Sequence, residues 1–173
     1  MASLILTVIG PDRPGLVRAL AQSVAAHGGS WLESRMARLA GQFAGIVLVE
    51  APETLLAELH ALENEGLRIV VHPGEISPGT SSGERLAVEV VGNDRPGIVR
   101  DVARVLAAHG VNIEELTTGV VSGSFSGETL FKATAFVRAP NAAAVAAIRA
   151  GLEFLGNEMM VDIRPAEDAS PSE

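Results

Sequence analysis

The chain has no cysteine and no tyrosine, and aromatic residues make up only 3% of its 173 residues. The absence of cysteine excludes disulfides, thiolate nucleophiles and cysteine-ligated zinc. No apolar run is long enough to span a bilayer, and the short apolar start lacks the basic leader of a signal peptide. The sequence therefore predicts a cytoplasmic protein without a membrane segment.

Acidic residues outnumber basic ones, and this excess of negative charge limits the molecules that the protein can bind. The chain has 13 Lys and Arg against 21 Asp and Glu, a formal net charge of −8. Nucleic acid and anionic membranes attract proteins with excess positive charge, so direct binding to either is disfavoured. The four histidines have no metal-ligand spacing, and no cofactor-binding glycine motif is present. We expect no metal and no cofactor.

One short segment occurs twice in the chain. It reads GPDRPGLVR at residues 10–18 and GNDRPGIVR at residues 92–100. Over the longer spans 10–28 and 92–110, 12 of 19 aligned positions are identical. Such self-similarity at a fixed spacing indicates an internal duplication.

The patterns of apolar residues predict the same order of elements in both halves. Residues 1–72 and 85–164 each read as strand, helix, two strands, helix and strand, with helices at 3.6-residue periodicity. A segment rich in Pro, Gly and Ser at 73–84 reads as a linker, and 165–173 reads as a disordered tail. The predicted fold class is therefore α+β, with two tandem βαββαβ units of the ferredoxin-like type.

The repeated segment is predicted to be the turn between the first strand and the first helix of each unit. Gly10 and Gly92 let the backbone leave the strand tightly, and we expect Asp12 and Asp94 to cap the helix that follows. A helix N-terminus with outward-pointing N–H groups suits a small carboxylate. The simpler interpretation is that the turn only caps the helix and binds no ligand. The residues alone do not decide between a cap and a ligand site.

The motif GxDRPGxV, followed by AAHGxN, resembles the opening of the ACT domain, a βαββαβ module that binds amino acids in metabolic regulation. The resemblance covers nearly the whole chain. Two such units, with no catalytic or DNA-binding domain, are most similar to the glycine cleavage system transcriptional repressor family. The resemblance implies a non-catalytic, homo-oligomeric regulator that responds to a small amino acid, with glycine favoured, and acts through a DNA-binding protein.

The same resemblance implies where the ligand lies, since ACT domains hold an amino acid between two units, near the first turn and the start of the second strand. The residue differences between the halves favour the second one, because Ser30 and Trp31 stand where the second half has Asn112 and Ile113. Trp31 either closes the site or fills the core, and the core is the expectation because large aromatic side chains are usually buried. The implied ligand-binding residues are Gly92, Asn93, Asp94, Arg95, Gly97 and Asn112 in the second half and Gly10, Asp12, Arg13, Gly15 and Ser30 in the first.

Two other functions use the same order of elements. RNA-recognition domains need aromatic side chains on their central strands, which this acidic, aromatic-poor chain lacks. A small enzyme of the acylphosphatase type needs an arginine-lined phosphate loop, and Arg13 and Arg95 keep that alternative open. No nucleophile motif surrounds any serine, so the sequence predicts no catalysis.

Overall fold

The computed structural model describes residues 1–64, 66–74, 82–122, 128–156 and 159–167. The chain divides into two compact units, Met1–Gly79 and Thr80–Glu173. Each unit has the predicted βαββαβ order, so the α+β, ferredoxin-like fold class is confirmed. The predicted linker at 73–84 and tail at 165–173 lie mostly outside the described residues.

Each unit consists of one four-stranded antiparallel sheet and two helices. The first unit comprises β1 (Ala2–Pro11), α1 (Leu16–Ala26), β2 (Ser30–Leu39), β3 (Gln42–Ala51), α2 (Leu55–Glu63) and β4 (Arg68–Pro73). The second comprises β5 (Glu84–Asn93), α3 (Ile98–Ala108), β6 (Asn112–Ser122), β7 (Thr129–Ala139), α4 (Ala142–Glu153) and β8 (Met160–Pro165). The sheet orders are β2-β3-β1-β4 in the first unit and β6-β7-β5-β8 in the second.

The core of each unit lies between one face of its sheet and its helices. Alternate strand residues are buried, as the sequence predicted for β7, where Phe131, Ala133, Ala135 and Val137 are all less than 5% exposed. Leu, Val, Ile and Ala fill most of both cores, as expected from a chain so poor in aromatics. Within the described residues, no helix is long and apolar enough to cross a membrane.

The turn that precedes each first helix depends on a glycine. The helices α1 and α3 are preceded by Gly15 and Gly97, whose φ angles of 94° and 82° lie in the left-handed region. This conformation costs a side-chain-bearing residue about 1 kcal/mol, and glycine adopts it freely. The prediction that Asp12 and Asp94 cap these helices was wrong: within the described residues, neither N-terminus receives a side-chain cap. The glycine, not the aspartate, takes the N-cap position.

Candidate functional site

The first turn lies beside an open cavity. The backbone N–H of Asp12 donates to the carbonyl of Gly41 at 2.9 Å, which ties the turn to the β2–β3 hairpin. The Asp12 carboxylate forms an ion pair with Arg38 at the end of β2. A cavity of about 320 Å³ adjoins this turn. It is lined by Asp12, Arg13, Gly15, Leu16, Val17, Arg18 and Phe43.

The second turn has the same backbone anchor but a different set of side-chain contacts. The N–H of Asp94 donates to the carbonyl of Thr129 at 2.9 Å, and the Asp94 side chain is exposed. The guanidinium of Arg95 is bound to Asp101 of α3, with 2.8 Å between Arg95 Nη1 and Asp101 Oδ2. Arg100 binds the other oxygen of the same carboxylate, with 3.0 Å between Nη2 and Oδ1.

Asp101 is a residue that the sequence reasoning missed. Its side chain is only 9% exposed, and the hydrogen bond from Arg95, followed by that from Arg100, lowers the pKa of its carboxyl group below the ordinary value. The carboxylate is therefore ionised across the neutral range. The sequence repeat does show a difference at this position, because the residue of the first half that aligns with Asp101 is Ala19.

The turns and the second-strand starts lie at opposite ends of each sheet. In the first unit Gly10 pairs with Phe43 of β3, whereas Ser30 pairs with Glu50, seven residues farther along the same strand. At about 3.4 Å per residue, these points are about 24 Å apart. Asn93 and Asn112 are separated similarly along β7 of the second unit. A single unit therefore does not bring its own turn and its own Ser30 or Asn112 into one site.

Two of the predicted site glycines have packing roles. A Cβ atom on Gly10 would lie 2.8 Å from the carbonyl oxygen of Gly66, and one on Gly92 would lie 2.8 Å from the sulfur of Met159. Glycine is needed at position 10, because its neighbour is backbone, whereas at position 92 the neighbour is a flexible side chain that can shift.

Trp31 packs against the core of the first unit and is partly buried, as predicted. Its place at the start of β2 keeps it away from the first turn, so it does not close the cavity there. Among the described residues, no group of three or more His, Asp or Glu side chains is arranged to hold a metal ion.

Comparison with known proteins identifies the fold of both units. The family model described as "ACT domain" matches residues 2–71 and 84–165. A UPF0237 protein of Methanopyrus kandleri is 36% identical over 80 residues, which cover 46% of this chain and 82% of that protein. The glycine cleavage system transcriptional repressor of Escherichia coli is 28% identical over 120 residues, which cover 66% of this chain but only 63% of the repressor.

Solved structures match over nearly the whole length of the chain. An unknown protein from Galdieria sulphuraria has a TM-score of 0.80 and 29% identity, with 96% of this chain and 99% of that chain covered. A putative glycine cleavage system transcriptional repressor has a TM-score of 0.68 and 16% identity, with 95% and 98% covered. At that identity the second likeness shows a shared tandem fold alone.

Proposed function

Because the chain belongs to the ACT domain family, we propose that it is a non-catalytic regulatory protein that binds a small amino acid and acts on transcription through a protein partner. The observation that carries this proposal is the cavity at the first turn. It brings together an acidic side chain, Asp12, and two basic ones, Arg13 and Arg18, at the N-terminus of a helix. An amino acid carries a carboxylate and an ammonium group, and each needs an oppositely charged partner in its binding site.

The chemistry of each group fits one end of an amino acid. The first N–H groups of α1 and the guanidinium groups of Arg13 and Arg18 suit a carboxylate, because charge-assisted bonds to a helix N-terminus are favourable. The Asp12 carboxylate suits the ammonium group. A carboxylate accepts several hydrogen bonds, so its ion pair with Arg38 does not exclude a second donor.

This proposal moves the preferred site from the second half to the first. In the second turn Arg95 and Arg100 are both bound to Asp101, whereas the first turn adjoins an open cavity. Ser30 and Asn112 each lie far from the turn of their own unit, and in this proposal a second copy of the chain supplies them to the ligand site. Homo-oligomer formation is therefore part of the proposal.

The net charge of the chain, the volume of the cavity and the names of the relatives indicate the classes of ligand and partner. A cavity of about 320 Å³ suits a small amino acid, and the repressor's name favours glycine. With a net charge of −8, the chain is not expected to bind DNA directly, so a cytoplasmic DNA-binding protein would carry the response. A salt-sensitive, sequence-specific gel shift by the isolated protein would contradict this part of the proposal.

Calorimetric titration with a panel of amino acids tests the ligand proposal. We expect glycine or another small amino acid to bind, whereas acetate and methylamine, which each carry one of the two charges, should bind far more weakly. Failure of every amino acid to bind the wild-type protein would refute the proposal.

The matched family and relatives give no support to the acylphosphatase alternative. The arginine on which that alternative depended in the second half, Arg95, is held by Asp101. Saturable hydrolysis of an acyl phosphate by the wild-type protein, absent in Arg95→Ala, would support the acylphosphatase alternative.

A further inference from the structure

The cavity at the first turn has an apolar wall in addition to its charged groups. Three of the residues that line it, Leu16, Val17 and Phe43, have hydrocarbon side chains. Val17 lies in the first turn of α1 and is 44% exposed although it is apolar. Phe43 lies near the start of β3 and is only partly buried. The same cavity that offers charged groups to the two ends of an amino acid therefore offers an apolar surface to its side chain.

Phe43 lies between two strands that give its ring little cover. One row of cross-strand neighbours contains Arg38 of β2, Phe43 and Gly10 of β1. Gly10 has no side chain that could cover the ring, and the guanidinium group of Arg38 is engaged with Asp12. The counterpart of Phe43 in the second unit is Phe131, which pairs with the corresponding glycine of β5 but is only 4% exposed. A partly exposed phenylalanine at this position is thus a feature of the first unit, where the residue adjoins the cavity.

The volume of the cavity exceeds what glycine fills. At about 30 Å³ for each water molecule, a cavity of about 320 Å³ has room for about ten waters. Glycine, whose side chain is a hydrogen atom, would displace only part of that water and would leave the apolar wall in contact with the rest. An aliphatic side chain would remove water from Leu16, Val17 and Phe43, and this burial of apolar surface is favourable.

We infer that the ligand of this site is an amino acid with an aliphatic side chain, of the size of valine or leucine, and that Phe43 and Val17 select it over glycine. This inference rests on the proposed function for the amino-acid site itself and narrows the ligand to one class. The name of the E. coli repressor favours glycine, so the two expectations differ in a measurable way. An apolar pocket distinguishes side chains that differ by one methylene group by about tenfold or more.

Calorimetric titration with glycine, valine and leucine measures this selection. We expect valine or leucine to bind the wild-type protein at least about tenfold more tightly than glycine. Val17→Thr keeps the shape of the side chain but makes it polar, so it should lower the affinity for leucine several-fold and leave the affinity for glycine unchanged. Val99→Thr is the matched control, because Val99 aligns with Val17 in the second unit and is 41% exposed. It should leave both affinities unchanged.

Phe43→Ala tests the aromatic ring, because its removal enlarges the cavity and should shift the preference from leucine to phenylalanine. Phe43 also packs against the core, so Val17→Thr and its control decide if this variant fails to fold. The inference is wrong if glycine binds the wild type as tightly as valine and leucine do, if Val17→Thr keeps the wild-type ratio of affinities, or if a folded Phe43→Ala keeps the wild-type preference. Each of these results leaves the proposed function standing. If no amino acid binds the wild type, the proposed function fails and this inference fails with it.

Discussion

The guanidinium group of Arg85 lies over the ring of Phe136, with its Cζ atom 4.4 Å from the ring centroid. The same group binds Glu114 through Nε at 2.9 Å and Glu115 through Nη2 at 3.1 Å. Its Nη1 donates to the carbonyl of Glu167. Only 8% of the Arg85 side chain is exposed, and its contacts join β5, β6, β7 and the segment after β8.

We predict that Arg85→Met lowers the free energy of unfolding by about 1–3 kcal/mol, because it removes the buried cation from Glu114 and Glu115 and removes the stacking contact, while Glu114 keeps its bond from Arg138. Urea denaturation measures this. Arg164→Met is the matched control, since Arg164 pairs with Asp162 where both side chains are about 60% exposed, and such a pair contributes little. Equal losses in the two variants would show that burial does not strengthen the Arg85 contacts.

The second prediction concerns pH and Asp101. Hydrogen bonds from Arg95 and Arg100 lower the pKa of Asp101 from its ordinary value of 3.8, so the ionised carboxylate stabilises the folded protein above that value. This contribution is lost as the pH falls through the lowered pKa. The stability difference between wild type and Asp101→Asn should therefore be constant near neutral pH and shrink in strong acid.

Urea denaturation of both proteins, from neutral pH down to about pH 2, measures that difference. The pKa of Glu114 is also lowered, chiefly by its hydrogen bond from Arg138, but this group is present in both proteins and its effect cancels in the subtraction. A difference that stays the same through the acid range would contradict the role given to Asp101.

The third prediction separates the two turns as ligand sites. Asp12→Ala should weaken amino-acid binding by about 1–3 kcal/mol, the range for loss of a charge-assisted hydrogen bond. Asp94→Ala is the matched control at the same motif position and should bind as the wild type does. If Asp94→Ala weakens binding and Asp12→Ala does not, the ligand lies at the second turn, as the sequence alone suggested.

The duplicated motif predicted the fold from the sequence, because helical and strand periodicities recur in register in both halves. The site was harder to predict for two physical reasons. The antiparallel pairing of β1 with β3 places Ser30 far from its own turn, and sequence order does not show this distance. Asp101 was missed because its arginine contacts depend on where the turn directs Arg95, although the difference from Ala19 is visible in the repeat.

The last prediction concerns self-association through the open face of the first sheet. One row of cross-strand neighbours there is Ile46, Thr7 and Val70, and the corresponding row of the second sheet is Thr134, Glu89 and Asp162. Ile46 and Val70 are 52% and 47% exposed, so the first sheet presents apolar area where the second presents polar groups. Covering apolar area on one chain with another is favourable by about 25 cal/mol per Å².

We therefore expect the wild-type protein to self-associate and Ile46→Asp to reduce its molecular mass in sedimentation equilibrium, because the variant places a charge in the face that would be covered. Thr134→Asp puts the same charge at the corresponding position of the second sheet and should leave the mass unchanged. Circular dichroism of both variants checks that they fold. A monomeric wild type, or an Ile46→Asp variant with the wild-type mass, would show that this face does not hold the copies together.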